Sequence, residues 1–327
     1  MFGYCSLLAL LFGAVIDFFA GDPHALPHPV VIMGKLITLL EKHLRRIFPN
    51  SKIGENIAGG LLFFIVAAVS FLVPAALLML LYKLSPVMGI IVESVMCWQC
   101  LAARSLACES SKVKKALDSG DIAESRRAVS MIVGRDTNRL DASGVARAAV
   151  ETVAENTSDG VIAPLIFLAL GGGPLGMLYK AVNTMDSMLG YIEPPYKDFG
   201  LVPAKLDDVF NYIPARLSAL IMLLAGGLLG FDIKNGFRIF KRDRYKHASP
   251  NSAQTESVMA GLLGLRLAGD AYYHGALHKK EFIGYAVREI ESMDIKRAND
   301  IMFVTAALSL AIFLGSKLMI LVIKNAL

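Results

Sequence analysis

Apolar runs nearly free of charge alternate along this chain with polar stretches crowded with acids, arginines, glycines and prolines. Ile57 to Tyr82 has no charged residue and is long enough to cross a hydrocarbon core of about 30 Å. Ile301 to Ile323 is interrupted only by Lys317, and Val87 to Cys108 by Glu93 and Arg104. Phe2 to Ala20 holds one charge, Asp17, near its end. It lacks a basic n-region and a small-x-small cleavage site, so it reads as a retained anchor rather than a signal peptide. Spans are therefore predicted at 2–20, 57–82, 87–108 and 301–323, the middle two forming a hairpin across Lys83 to Pro86.

Two further apolar segments are less complete. Ile162 to Val182 contains Gly171-Gly172-Gly173-Pro174, which is expected to break a helix, and Leu217 to Phe231 is short for a crossing. Between the apolar runs lie polar regions at 21–56, 109–160, 183–216 and 232–300. The first includes a helix-like basic segment, Lys35 to Arg46, and the second has the 3.6-residue periodicity of two or three helices. Little alternation supports a sheet. The expected fold is all-α, a single polytopic membrane domain over 1–327 with cytoplasmic helical loops and at least one broken or re-entrant helix. The excess of Lys and Arg places 21–56, 109–159 and 232–300 on the cytoplasmic side and the N-terminus outside. Segments 162–182 and 217–231 must then both cross or both fail to cross. A shared site for all the motifs requires that they dip in, or that the loop from Asn183 to Arg216 folds back among the helices, which is tolerated only around protein-lined cavities.

Composition agrees with this pattern. Of 327 residues, 55% are hydrophobic and 19% charged, with a mean hydropathy of +0.53. The net charge of +5 is interleaved with acids rather than gathered into a stripe with stacking aromatics, which argues against a nucleic-acid partner and for loop positioning beside membrane lipid. Cys5, Cys97, Cys100 and Cys108 all fall in apolar segments. Cys97 and Cys100 have redox or zinc spacing, but no second ligand pair accompanies them, so packing between helices is the preferred role. The pairs His24/His28 and His274/His278 lack an obvious third ligand and read as incidental.

Four polar constellations carry candidate chemistry. On a helix expected from about Ser143 to Ser158, Arg147, Glu151, Glu155 and Asp159 recur every four residues as one stripe. Carboxylates at the negative end of a helix dipole call for a compensating cation, and Mg²⁺ is commonly held by one or two carboxylates with water and phosphate. The structural alternative is a solvated face with an Arg147–Glu151 pair. After the glycine-rich break comes Tyr179 to Ser187, where Lys180 and Asn183 suit a phosphate and Asp186 a metal. Then follow Asp207, Asp208, Asn211, Pro214 and Arg216, with Pro214 expected to start the next helix; adjacent carboxylates repel unless a metal or Arg compensates them. Lastly, Arg242, Asp243, Lys246 and His247 precede a Ser249-Pro250-Asn251 turn and Glu256. That run suits phosphate or carboxylate recognition, or a patch against anionic lipid.

Taken in order, the motifs resemble the adenosylcobinamide-phosphate synthase family of cobalamin biosynthesis, whose members are integral membrane proteins. The matching pieces are Gly21-Asp22-Pro23, His28-Pro29-Val30, Met33-Gly34, Gly134-Arg135-Asp136-Thr137, Glu151-Thr152, Ala154-Glu155-Asn156, Asp159-Gly160 and Ala163-Pro164. They continue through Tyr179-Lys180-Ala181, Asn183-Thr184, Asp186-Ser187-Met188, Gly190-Tyr191, Asp207-Asp208 with Asn211, Pro214-Ala215-Arg216, and Ser249-Pro250-Asn251 with Glu256. Ala253 and Thr255 stand where the family usually shows a Gly and a Pro.

The resemblance implies ATP-dependent amide formation between a carboxylate of adenosylcobyric acid and the amine of 1-amino-2-propanol phosphate or ethanolamine phosphate, giving adenosylcobinamide phosphate. It also implies Mg²⁺ and, as neighbours, other late corrinoid-pathway enzymes. Within that reaction, charge and spacing assign Glu155, Asp159 and Asp186 to metal, and Glu151 to the base. Asp207 and Asp208 are further catalytic or metal candidates. Arg135, Lys180 and Arg216, with Asn183, Lys246 and Asn251, are assigned to substrate and phosphate. Tyr179 and Tyr191 are candidate contacts to the corrinoid ring. The alternatives are a transporter, which predicts inverted repeats that the chain lacks, and a membrane scaffold for corrinoid intermediates. A phospho-alcohol transferase is disfavoured because Pro164 stands where its motif requires Arg.

Overall fold

The computed structural model describes residues 2–22, 28–191, 193–273 and 275–326. Pro23, His24 and His274, invoked above, lie outside the described residues. Helices dominate: α1 (Phe2–Ala20), α2 (Pro29–Ile47), α3 (Lys52–Leu84), α4 (Pro86–Cys100), α5 (Ala103–Asp118), α6 (Ile122–Ser130) and α7 (Ala142–Asn156) come first. A π-helical turn, Thr157–Ile162, leads into α8 (Ala163–Leu189), followed by α9 (Leu201–Leu228), α10 (Ile233–Asp243), α11 (Ser252–Leu263) and α12 (Met293–Ala326). Among the described residues six helical stretches are long and apolar enough to cross a membrane: Gly3–Ala20, Lys52–Leu84, Pro86–Asp118, Ala142–Leu189, Leu201–Leu228 and Met293–Ala326. The segment around 217–231 is thus the end of a 28-residue helix rather than a short element.

The chain divides into two compact units. The first comprises Met1–Leu101, Ala163–Asn211 and Leu310–Leu327. Its helix α3 is apolar around most of its circumference, and Phe64, Leu72, Val73, Met79 and Leu80 remain exposed. That surface suits lipid, which satisfies no backbone polar group and so demands helices. Inside this unit the expected break falls where the glycines are. Gly171 and Gly172 leave helical geometry, and Gly172 has φ 66° and ψ −160°. The amide of Gly173, which restarts the helix, donates to Glu93 Oε1 at 3.1 Å. Ser6 Oγ donates to the same oxygen at 2.8 Å and the Tyr82 hydroxyl to Glu93 Oε2 at 2.5 Å, while Lys317 reaches Ser6 Oγ at 3.1 Å. Glu93 and Lys317, the charges that interrupt two predicted spans, therefore belong to one partly buried network that caps a half-helix.

The second unit comprises Ala102–Ile162 and Tyr212–Ser309. Its centre is α11, every residue of which is buried. Asp141 caps α7 by accepting from the Gly144 amide at 2.7 Å. The helix does not end near Ser158 as expected. Thr152, Asn156 and Thr157 hydrogen-bond back to the carbonyls of Ala148, Thr152 and Val153. Such side chains compete with the backbone ladder, and a π turn absorbs the disturbance where a terminus was predicted. The free negative helix end invoked for Glu155 and Asp159 is accordingly absent.

Sequence reading also missed two small antiparallel sheets. β1 (Arg266–Ala268) pairs with β4 (Phe282–Gly284), and β2 (Ala271–Tyr273) pairs with β3 (Ala276–His278). Strands of three residues are too short to show a two-residue alternation. The stretch from Asn183 to Arg216, treated above as a loop, is mostly the ends of α8 and α9, and Pro214 lies inside α9.

Candidate functional site

In the second unit, Glu151 is 3% exposed and forms an ion pair with Arg135, while its Oε1 accepts from the Ala268 amide at 2.6 Å. The alternative Arg147–Glu151 pair does not form among the described residues. Burial pulls the Arg135 guanidinium down, but Glu151 outweighs it and holds the group above its ordinary value. One turn along α7, Glu155 Oε1 accepts from Ser252 Oγ at 2.8 Å, at the start of α11. Glu256, on the same helix, is buried, and its Oε2 has no hydrogen-bond partner. Burial, reinforced by the charges of Glu155 and Glu151, raises its carboxyl well above the usual range, against the pull of Arg135 and Lys280. The charged form of Glu256 is thus disfavoured relative to an ordinary carboxylate.

His247 completes this cluster. Burial lowers its pKa, with Glu155 opposing and Lys280 assisting, so the ring is neutral at pH 7. Its Nδ1 accepts from the Ser249 amide at 3.1 Å, which leaves Nε2 to carry the proton in the neutral ring. The cluster thus contains an imidazole donor, a carboxyl whose charged form burial disfavours, and two further carboxylates held by an arginine, a serine and a backbone amide.

The missed sheets are what hold it. β1 supplies the Ala268 amide to Glu151. β4 supplies the Gly284 amide to Asp243 Oδ2 at 2.7 Å. The β2–β3 hairpin grips the Gly134-Arg135-Asp136-Thr137 loop: the Asp136 amide donates to Tyr272 O at 2.8 Å, and Gly275 N to Asp136 Oδ2 at 2.7 Å. The basic run after α10 is likewise organised around a buried acid. Asp243 takes Arg242 through both oxygens and Lys246 at 3.1 Å; burial opposes its charge, but these bonds hold it below the ordinary carboxylate range. Lys246 is therefore already committed to Asp243. Arg216 lies over the Tyr212 ring at 3.4 Å, and its Nη1 donates to Tyr212 O at 2.6 Å and to Asn251 Oδ1 at 3.3 Å. Asp159 sits half-buried in the π turn.

The first unit holds the other candidates. Tyr179, Asn183 and Asp186 share one face of α8, with Lys180 beside it. The Tyr179 hydroxyl donates to Asn211 Oδ1 at 2.8 Å, and Asn211 Nδ2 to Asp207 Oδ2 at 2.9 Å. Asn211 therefore pairs with Asp207, and Asp208 lies 3.9 Å from Lys205. Tyr179 is wholly buried and stacks on Phe167, whereas Tyr191 is exposed. Asp207 Oδ1 is buried without a hydrogen-bond partner, and Asp186 lies within electrostatic reach of it.

Of the sequence-predicted metal set, Asp186 belongs to the first unit and Glu155 and Asp159 to the second. Among the described residues no group of three His, Cys, Asp or Glu could hold a metal. Magnesium needs only one or two carboxylates when phosphate and water complete its shell. Asp186 with the orphaned oxygen of Asp207 fits that requirement.

Protonation of Glu256 has a measurable consequence. A carboxyl whose folded pKa is raised binds a proton the unfolded chain has lost, so stability falls as pH rises from about 4.5 towards the folded pKa. Glu256→Gln keeps the shape and removes the titration. Its stability advantage over the parent is expected to grow with pH in that window, by up to about 1.4 kcal/mol per pH unit. Thermal unfolding of both proteins across the pH range is the check; a gap independent of pH would show that Glu256 is ionised when folded.

The fold and this cluster define a multi-pass helical membrane protein with a buried ionisable site. Within that class, the chain belongs to the CobD/CbiB family. Residues 10–302 match the family profile described as CobD/Cbib protein. The chain is 44% identical over 308 residues to the cobalamin biosynthesis protein CobD of Clostridium perfringens, covering 94% of this chain and 97% of that one. It is 46% identical over 312 residues to the cobalamin biosynthesis protein CbiB of Salmonella typhi, covering 95% and 98%. It is 46% identical over 310 residues to CobD of Klebsiella pneumoniae, covering 95% and 97%. No solved structure gives a significant match. The protein acts in cobalamin biosynthesis.

Proposed function

We propose that the protein joins a carboxylate of adenosylcobyric acid to the amine of 1-amino-2-propanol phosphate or ethanolamine phosphate, with ATP, to give adenosylcobinamide phosphate. The observation that carries the reading is the enclosed Glu151–Glu155–Glu256–His247 cluster beside Arg135, on the chain of a cobalamin-biosynthesis family. A carboxylate is a poor electrophile. Transfer of the terminal phosphoryl group of ATP to it forms an acyl phosphate and ADP; the amine then attacks, inorganic phosphate leaves and the ammonium loses a proton.

That sequence needs a proton acceptor and donors for developing negative charge. Both oxygens of Glu151 are engaged, which makes it the anchor of Arg135. Glu155 has one oxygen held by Ser252 and no other hydrogen bond among the described residues, so it is the better-placed acceptor. His247 offers its Nε2 proton to an anionic oxygen. Arg135, Arg216, Lys180, Asn183 and Asn251 remain phosphate and substrate contacts, whereas Lys246 acts through Asp243. Asp186 and Asp207 would hold Mg²⁺, which supplies charge neutralisation of the triphosphate. The polar regions at 21–56, 109–159 and 232–300 face the cytoplasm in this reading, where ATP is available.

Membranes carrying the protein, given adenosylcobyric acid, Mg-ATP and either amino-alcohol phosphate, should form adenosylcobinamide phosphate, followed by product mass. Glu155→Gln should lower the rate by about 100-fold or more, in the range of a lost general base. No product with either amine from folded protein would transfer the reading to a corrinoid scaffold or transporter.

A further inference from the structure

Beside Arg135, on the loop between α6 and α7, the second unit has an open cleft of about 710 Å³. Its walls include Arg126, Arg127, Ser130, Arg135, Thr137 and Asn138. We propose that this cleft is a phosphoryl-binding site, with Arg126 and Arg127 of α6 as its principal cations. The inference rests on the reading above only for which phosphorylated molecule arrives.

Three observations support it. The first is the disposition of charge. Arg126 spends only its Nε, on Leu140 O at 2.7 Å, and this bond fixes the guanidinium while leaving both terminal nitrogens uncommitted among the described residues. Arg127 is exposed and has only a loose 3.7 Å pair with Glu124. A planar guanidinium held at Nε presents its other donors as a fork, the geometry that takes phosphate oxygens in pairs.

The second is neutral donors on the same walls. The Thr137 hydroxyl and the Asn138 side chain make no hydrogen bond among the described residues. A phosphate ester presents several acceptor oxygens, so hydroxyl and amide donors beside arginine suit it better than they suit a simple carboxylate.

The third is that the competing acids are occupied. Asp136 accepts from the Gly275 amide, and Glu151 is buried against Arg135. Asp136 lines the cleft and keeps its charge, but Arg126, Arg127 and Arg135 outnumber it and the wall stays net positive. Its volume suits either a nucleotide or a small phosphomonoester. The shared chemistry is the phosphoryl group.

The test uses full-length protein in lipid nanodiscs and equilibrium binding of Mg-ATP, ethanolamine phosphate and inorganic phosphate, each alone. Arg126→Gln/Arg127→Gln should weaken the probe that uses the cleft by about 10- to 100-fold, as expected for two lost charge-assisted contacts. Loss confined to Mg-ATP assigns the cleft to the nucleotide, and loss confined to ethanolamine phosphate assigns it to the amine substrate. Arg127→Glu is the second variant: this exposed side chain has little structural role, so the variant folds even if loss of the Arg126–Leu140 bond perturbs α6. Lys112→Gln, on the exposed face of α5, should bind as the parent does. Parent protein that binds none of the three probes, or affinities that both arginine variants leave unchanged, would overturn the assignment. Binding that depends on the two arginines in a protein that forms no amide would keep the phosphoryl site and reject the synthase reading. Amide formation at the parental rate and KM in both variants would do the reverse.

Discussion

Arg135→Met is expected to cost about 3–5 kcal/mol of stability, because it strands the Glu151 carboxylate in an enclosed site with only the Ala268 amide and weak solvent access. Breaking a buried pair from one side is costlier than deleting it, since the remaining charge has lost its partner but not its burial. Arg135→Met/Glu151→Leu should therefore recover at least half of the loss. Unfolding of nanodisc-embedded protein gives the stabilities, and the corrinoid product assay gives the function. Stability should return in the double variant while product formation stays absent, because Arg135 is also a phosphate contact in the proposed reaction. Simple additivity of the two substitutions would mean that they do not form a coupled pair.

Gly172→Ala is expected to be comparably severe for a backbone reason. At φ 66° and ψ −160° the residue occupies a region essentially restricted to glycine, which costs a side-chain-bearing residue about 1–3 kcal/mol. A Cβ there would also fall 2.2 Å from Glu93 Oε1 and 2.9 Å from Ser6 Oγ. Glu93 cannot swing aside freely, because Ser6, Tyr82 and the Gly173 amide all bond to it. Displacing it leaves buried groups unsatisfied, adding about 1–3 kcal/mol. Gly171→Ala is the internal comparison. Its φ is −137°, and its Cβ would lie 2.8 Å from Leu175 Cβ, a crowding cost without the left-handed backbone or the clash with Glu93. Folded yield and thermal midpoint should fall much further for Gly172→Ala. Equal losses would show that the break in α8 is not clamped by Glu93.

The break illustrates which features were local. Gly171-Gly172-Gly173-Pro174 announces an interruption because glycine frees the backbone and proline removes a donor, whatever surrounds them. The same holds for the long apolar runs and for the turn at Ser85 between α3 and α4. The α7 stripe of Glu151 and Glu155 was legible from its four-residue spacing, but the partners of those acids were not. Ala268 N lies 117 residues from Glu151, and Ser252 lies 97 from Glu155. Nothing near α7 in the sequence signals a three-residue strand that offers one amide. The roles of His247 and Lys280 were hidden for the same reason, although His247 stands within a visible motif.

The sequence by itself determined the class: a helical, multi-pass membrane chain with a glycine break and an ordered set of polar motifs, which was enough to place it in its family. Hydrophobic length, helical period and backbone permissiveness act over a few residues, so one dimension records them. Tertiary structure alone decided which groups meet within each unit, Asp207 with Asn211 in the first and Glu151 with Arg135 in the second. It decided that Lys246 serves Asp243, and that two minimal sheets hold the Arg135 loop and Glu151. Pairing and desolvation of charges depend on distance and burial in three dimensions, and spacing along the chain carries neither.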